Sequence, residues 1–313
     1  MARDLKDTVH KIINTQDLGV SFSVKNCREY GINWEDALRY TLQMGFKRFR
    51  LMSYWDLHEP SRGNYDFDLL HAQHKIILES GGRVTQCLGI RQPRWPECHI
   101  PDWAKELPKD QATKAYLEFQ KRAVLELKNY DHIESWQLEN EFWLKSFGEH
   151  FDFSRTRLNQ EFMQIRALDP NRPIIMSLAN TFSLPVGRPK PDIYATSMYR
   201  NLYDNGAYRK TYFSPLYYKM RRLLIRMILR RDLIIHELQA EPWGPKSNWE
   251  MSSAEQFITM NVPEIKTALE FARQSGIPYI DMWGAEWWYW RTLQHNDHTI
   301  TATLSSINKA VQA

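Results

Sequence analysis

An α/β fold of the (β/α)8 TIM-barrel class is predicted by three features of the sequence. Eight short, β-rich apolar runs recur along the chain, amphipathic stretches separate them, and 313 residues pass without a linker, repeat or low-complexity segment. Strands covered on both faces read as near-continuous apolar runs, and barrels of this class need about 250 residues before insertions. One domain spanning 1–313 is therefore expected. Hydrophobic residues at 43% and charged residues at 25% are ordinary globular usage, which excludes a disordered or collagen-like chain.

The runs are Leu18–Val24, Lys47–Ser53, Arg83–Gly89, Ile133–Leu138, Pro173–Leu178, Asp192–Ser197, Leu233–Leu238 and Pro278–Gly284. Between the first two, Trp34, Ala37, Leu38, Thr41 and Leu42 follow helical spacing behind an Asn33 cap with Asp36 at its third position. Asp169-Pro170-Asn171-Arg172-Pro173 is a turn that delivers the fifth run. The interval between the fifth and sixth runs is too short for a full helix. Ser253-Ala254-Glu255-Gln256 reads as a capping box opening one helix that continues towards Gly276-Ile277-Pro278.

Between the sixth and seventh runs, Met220, Leu223, Leu224, Met227 and Ile228 form an apolar helical face. Lys219, Arg222, Arg226 and Arg230 occupy another, with Arg221 and Arg231 adding charge. The preferred reading is an outer helix that packs its apolar face on the strands and solvates its basic side. The sharper one is attachment of the stretch 217–231 to an anionic membrane surface or an acidic polymer.

A net charge of +4 is too small for a nucleic-acid footprint, so no nucleic-acid partner is expected. Cys27, Cys87 and Cys98 cannot all pair and form no CxxC unit. Neither His58 nor His99 sits in an HxxxH or HExxH pattern, so no metal is expected, and nothing calls for a cofactor. No stretch reaches the roughly 18 apolar residues of a membrane span, and Met1 to Lys11 lacks the apolar core of a signal peptide. The protein is expected to be soluble, cytoplasmic if the chain is full length and extracytoplasmic if a leader was trimmed. Oligomeric state is not legible.

In a barrel of this class the chemistry sits just past the C-terminal ends of the strands. There the sequence places Tyr54, Trp55, His58 and Glu59 after the second run, and Arg91, Gln92, Arg94, Trp95, Glu97 and His99 after the third. Asn140, Glu141 and Trp143 follow the fourth, Tyr199 and Arg200 the sixth. Glu237, Gln239, Glu241 and Trp243 end the seventh, and Trp283, Glu286, Trp287 and Trp288 the eighth. Tryptophan, at 12, nearly equals glycine, at 13, and most of it falls on this edge. An aromatic-walled acidic cleft suits a carbohydrate, whose C–H faces stack on indoles. Cleaving a glycosidic bond requires two carboxyl groups flanking the anomeric carbon, one protonated and one ionised. Glu141 and Glu237 are the candidates, with Glu241 a rival to the latter. Asn140 is placed to donate to a sugar 2-hydroxyl.

At this point the motifs carry a resemblance. Trp136-Gln137-Leu138-Glu139-Asn140-Glu141-Phe142 resembles the strand-four signature of the clan A barrel-fold retaining glycoside hydrolases, closest to family 42 β-galactosidases. Tyr54-Trp55-Asp56-Leu57-His58-Glu59-Pro60-Ser61-Arg62-Gly63-Asn64-Tyr65-Asp66-Phe67 is similar to a loop of families 35 and 42. Ile235-His236-Glu237-Leu238-Gln239 resembles the strand-seven segment that bears the nucleophile in this clan, which also includes the family 5-like enzymes. The resemblance implies Glu141 as acid/base, Glu237 as nucleophile, and hydrolysis of a β-linked glycoside with retention. Arg50 is then expected to keep the nucleophile ionised and Tyr199 to hydrogen-bond it, with Trp283, Trp55, Trp288 and Trp95 as stacking platforms. The chain is shorter than typical family 42 enzymes, and the loop Arg91–His99 has no close counterpart in them, so the sugar stays open. Two other readings stand beside this one: a non-catalytic carbohydrate-binding barrel, and a membrane-associated transglycosylase or glycolipid hydrolase.

Overall fold

The computed structural model describes residues 2–181, 185 and 187–312. Its principal strands run in the order β1-β10-β9-β6-β5-β4-β3-β2 and close into an eight-stranded parallel barrel surrounded by helices. These strands are β1 (Leu18–Phe22), β2 (Arg48–Met52), β3 (Arg83–Cys87), β4 (Ile133–Gln137), β5 (Ile174–Leu178), β6 (Ile193–Met198), β9 (Asp232–Gln239) and β10 (Ile280–Trp283). Each falls on one of the eight apolar runs. A two-stranded hairpin, β7 (Asn201–Asp204) with β8 (Ala207–Lys210), was not legible beforehand, because its second strand is exposed throughout and has no apolar face. By contacts the chain divides into two compact units: Met1–Ile12 with Arg50–Ala195, and Ile13–Phe49 with Thr196–Ala313.

In the first unit β3 and β4 pair with a register shift that gives β4 one extra residue, between Ile133 and Ser135. Helices Asp68–Glu79, Lys109–Leu127 and Arg155–Leu168 belong to this unit. Glu139, just past β4, is fully buried and accepts from the backbone of Ile90 at 3.0 Å and Arg91 at 2.7 Å. Arg157, itself tied to Glu161, also donates to Glu139. Gly89 makes the approach feasible, since a Cβ there would lie 2.4 Å from the Arg91 carbonyl oxygen and 2.9 Å from Glu139 Cα. The loop after β3 and the exit of β4 are thereby welded together. Between β5 and β6 no helix occurs among the described residues.

In the second unit β10 pairs with β1 on one side and β9 on the other. Gly19 lies opposite Asp281, whose Oδ1 would be 1.9 Å from a Cβ at that position. That space admits a buried chain of charge: Arg48 Nε donates to Asp281 at 3.0 Å, and His236 Nδ1 lies 2.7 Å from the other carboxylate oxygen. Burial alone would raise the Asp281 pKa, but Arg48 and His236 outweigh it and hold the carboxyl below its usual range. The Asn33 cap forms as expected, accepting from the backbone N–H groups of Glu35 and Asp36.

The expected capping box at Ser253 lies one residue earlier. Ser252 caps, reciprocated by Glu255, because Gln256 is committed inside, accepting from Trp287 and Arg291. The single helix expected there is two, Ser253–Thr259 and Val262–Gln274, broken where Asn261 caps the second and Pro263 enters its first turn.

Helix Pro215–Leu224, continued by a π-helical turn Ile225–Leu229, overturns its expected orientation. The buried side chains are Tyr218, Arg221 and Ile225, with Arg221 donating to Thr196 Oγ1 at 2.9 Å. Arg222 binds Asp232 at the start of β9. Of the five residues expected to pack, four face solvent and Leu224 is half-buried: Met220 is 46% exposed, Leu223 45%, Met227 64% and Ile228 57%, and Leu216, outside that expectation, is 63% exposed. Arginine here satisfies specific acceptors under the helix, so the apolar stripe is turned outward.

Candidate active site

The first unit builds one cluster at the exits of β3 and β4. Glu141 lies four residues past Gln137, the last residue of β4, is buried, and adopts φ +42°, a left-handed conformation that glutamate rarely takes. Strain of this kind costs about 1–3 kcal/mol and persists only where surrounding contacts impose it. Those contacts are visible around it. The Asn140 N–H donates to the Arg91 carbonyl at 2.8 Å, and Arg91 Nε returns a bond to the Asn140 carbonyl at 3.1 Å. Arg91 also donates to the carbonyls of Phe147 and Glu149.

Arg50, fully buried on β2, donates Nε to Gln137 Oε1 at 2.7 Å and a terminal nitrogen to Asn140 Oδ1 at 2.8 Å. Asn140 Nδ2 in turn donates to Glu97 Oε2 at 3.1 Å. The amide is thus oriented from both ends, its oxygen held by Arg50 and one of its two N–H groups engaged by Glu97. Glu97 and Arg94 share the left-handed backbone habit, at φ +76° and +96°. Trp95, between them, is 63% exposed and meets Phe147 edge-on at 5.7 Å. It offers its ring to solvent.

The second unit builds a different cluster. β9 carries a register shift against β10: three residues advance from Ile235 to Leu238 while β10 advances two, from Ile280 to Met282. The extra residue falls at His236-Glu237, and a bulge of this kind re-aims the side chains beside it. His236 reaches Asp281, and Glu237, also buried, accepts from the Tyr199 hydroxyl at 3.1 Å. Tyr199 is backed edge-on by Trp243 at 5.3 Å. Gln239 accepts from the backbone N–H groups of Arg200 and Asn201, both at 2.9 Å, and donates to the Asn201 carbonyl at 2.7 Å. That clamps the exit of β6, and so Tyr199, to the exit of β9. Glu241, two residues past β9, accepts from the Trp283 indole at 2.8 Å.

Of the residues read from sequence, Arg50, Asn140 and Glu141 come together in the first cluster, and Glu237, Tyr199 and Trp283 belong to the second. Two do not serve as expected. Trp55 is fully buried, donating to Glu59 at 2.7 Å and packed on Trp103, Tyr116 and Phe119. Trp288 is equally buried, donating to the Ala240 carbonyl and stacked on Phe46. Neither presents a ring face to a sugar. Trp283 is nearly as buried and held by its nitrogen, which leaves Trp95 as the exposed platform among the four.

Sequence reasoning named Glu97 and Gln137 without a role; only the fold shows that they set the Asn140 amide. Among the described residues no group of three His, Cys, Asp or Glu side chains is arranged to hold a metal ion. No helix among them is long and apolar enough to cross a membrane.

No family model matches the chain. The curated protein Beta-galactosidase 13 of Arabidopsis thaliana is 30% identical over 108 residues, covering 33% of this chain and 13% of its own length. Solved structures match far more of the fold. A β-galactosidase from the haloarchaeon Halorubrum lacusprofundi aligns with TM-score 0.59 at 14% identity, over 85% of this chain and 52% of its own. Gan42B, a GH42 β-galactosidase, aligns at 0.63 and 11%, over 95% and 56%. The exo-β-1,4-mannosidase Op5Man5 from Opitutaceae bacterium strain TAV5 aligns at 0.58 and 13%, over 96% and 60%.

The fold is the closed eight-stranded parallel barrel with surrounding helices that these glycosidase structures share. This chain spans little more than half the length of these three structures, and at such identities the likeness is one of fold.

Proposed function

We propose that the chain is a retaining glycoside hydrolase acting on a β-linked glycoside, with 1–313 as one catalytic domain. The observation that carries this reading is a pair of buried carboxylates at the C-terminal ends of two barrel strands. Glu141 follows β4 in strained backbone beside the Arg50–Asn140 pair, and Glu237 lies at the β9 bulge under the Tyr199 hydroxyl. In parallel barrels those strand ends open on one face, the face that carries the chemistry.

In the first step the Glu237 carboxylate attacks the anomeric carbon while the Glu141 carboxyl gives its proton to the departing glycosidic oxygen. In the second, Glu141 takes a proton from water, which displaces Glu237 and restores both groups. Tyr199 steadies the carboxylate through its hydroxyl. Asn140 offers its remaining N–H to the sugar 2-hydroxyl, and Trp95 offers a stacking face. Arg50 favours ionised carboxylates in its surroundings.

Covalent trapping tests the reading. The protein is incubated with 2-deoxy-2-fluoro β-glycosides bearing activated leaving groups, and the modified peptide is mapped by mass spectrometry. An adduct on Glu237 is expected. An adduct on Glu241 would move the nucleophile while keeping the mechanism. Sugar binding without turnover or adduct across the panel would replace the hydrolase with a carbohydrate-binding barrel.

A further inference from the structure

The outward stripe of the helix 215–229 has no counterpart in the chemistry above. Leu216, Met220, Leu223 and Met227 recur at helical spacing, all exposed, with Ile228 beside them. Around them the sequence from Asn205 to Arg231 contains Arg209, Lys210, Lys219, Arg221, Arg222, Arg226, Arg230 and Arg231 and not one acidic residue. Lys219 and Arg226 are exposed on the same helix, and Arg230, the left-handed residue that ends it, is exposed as well.

Beside it runs a groove of about 780 Å³ lined by Arg222, Arg226 and Arg273 together with Asn14 and Gln16. Asp232 neutralises Arg222, with Arg226 at 3.9 Å, and the groove stays positive through Arg273. The same groove includes Leu18 and Ile280, the first residues of β1 and β10, so it belongs to the N-terminal end of these strands.

We propose that this helix is an interfacial docking surface for an anionic lipid membrane, its apolar stripe entering the acyl boundary and its basic residues meeting the headgroup phosphates. Three occupants compete, and charge and polarity separate them. A second copy of the chain would bring two acid-free basic stretches against each other. A polyanion such as nucleic acid would pair with the arginines but press phosphate against five exposed Leu, Met and Ile side chains. An anionic bilayer satisfies both faces, which is the pattern of a helix lying in the interface.

The surface also leaves the candidate chemistry clear. Arg222 grips Asp232 at the start of β9, whereas Glu237 is five residues along it, about 16 Å at the rise of a strand.

The test is vesicle flotation, which needs no substrate and is independent of the hydrolase reading. Vesicles of phosphatidylcholine with phosphatidylglycerol are compared with phosphatidylcholine alone, at low and high salt. Binding to the anionic vesicles at low salt is expected, weakened when salt screens the charges. The exposed-site variants Met220→Gln/Leu223→Gln/Met227→Gln and Lys219→Glu/Arg230→Glu should each lower binding about tenfold or more while keeping native melting temperatures. Equal binding to both vesicle types, no binding at low salt, or binding that survives in both variants would overturn the proposal. So would a dimer by light scattering that the apolar triple variant dissolves while the parent binds no vesicles.

Discussion

The two units solve the same problem, holding a buried carboxylate at the end of a strand, with different materials. Around Glu141 the work is done by charge and backbone strain: Arg91, Glu97, Glu139 and Arg157 interlock two loops, and three residues sit at positive φ. Around Glu237 it is done by a strand bulge and neutral donors: the Tyr199 hydroxyl on Glu237, the Trp283 indole on its neighbour Glu241, and the Gln239 amide clamp. The difference has a chemical sense under the proposed mechanism. An acid/base that changes protonation state each half-cycle needs a frame that does not move with its charge, and interlocked ion pairs supply one. A nucleophile must meet the anomeric carbon in a fixed geometry, and the bulge together with the Tyr199 hydroxyl orients Glu237 for that attack.

The largest effects should come from the carboxylates themselves. Glu237→Gln should abolish turnover, a loss of about 10⁴-fold or more. Glu141→Ala should lose about 10²–10⁴-fold on substrates with poor leaving groups and much less on activated ones. Added azide should restore Glu141→Ala turnover by replacing water in the second step, with the glycosyl azide product's anomeric configuration read by NMR. Equal losses on all leaving groups would remove Glu141 from the acid role.

Next come the two frames. Glu139→Ala strands two backbone N–H groups in the interior, takes one of the two carboxylate partners from Arg157, and should cost about 3–5 kcal/mol in urea unfolding. Gln239→Ala loses three neutral hydrogen bonds and should cost about 2–3 kcal/mol. Equal costs would erase the contrast between a charged and a neutral frame.

A smaller, pH-dependent effect belongs to the first unit. His74 Nδ1 lies 2.9 Å from His132 Nε2, and its own Nε2 lies 3.0 Å from Gln86 Oε1, so both nitrogens of the buried His74 ring are engaged when it is neutral. Burial first, then the neighbouring His132, lowers the His74 pKa to about 3. Between that value and the ordinary histidine range the unfolded chain binds the proton and the folded one does not. Stability is therefore full above about pH 6.5 and lost progressively as pH falls towards 3. His74→Gln should flatten this acid limb in melting curves taken across that range, while costing stability at pH 7. An unchanged limb would assign acid sensitivity elsewhere.

The smallest effect separates the second cluster from a purely structural one. Tyr199→Phe removes the hydroxyl donor to Glu237 and should lower kcat/KM about 10–100-fold with stability nearly unchanged. A melting shift without a kinetic one would make Tyr199 a packing residue.

Much of this molecule was decided within the sequence. Eight apolar runs bounded by turn chemistry became the eight barrel strands, since a strand buried on both faces must be apolar along its length. The Asn33 cap and the Asp169–Pro173 turn formed because they depend on atoms within four residues. Glu141, Asn140 and Tyr199 were legible because polar residues directly after a buried strand can only belong to its exit.

Tertiary structure decided what depends on partners distant in the chain. Four tryptophans looked alike as platforms, yet Trp55 and Trp288 are core, because Phe119 and Phe46 lie over them. The amphipathic pattern of 215–229 predicted which face would be buried and was inverted, because Thr196 and Asp232 offer Arg221 and Arg222 specific acceptors beneath the helix. The bulge at Glu237 and the positive φ at Glu141 have no local sequence signal at all. Each arises from pairing or anchoring against another strand or loop, and no residue in isolation encodes its neighbour.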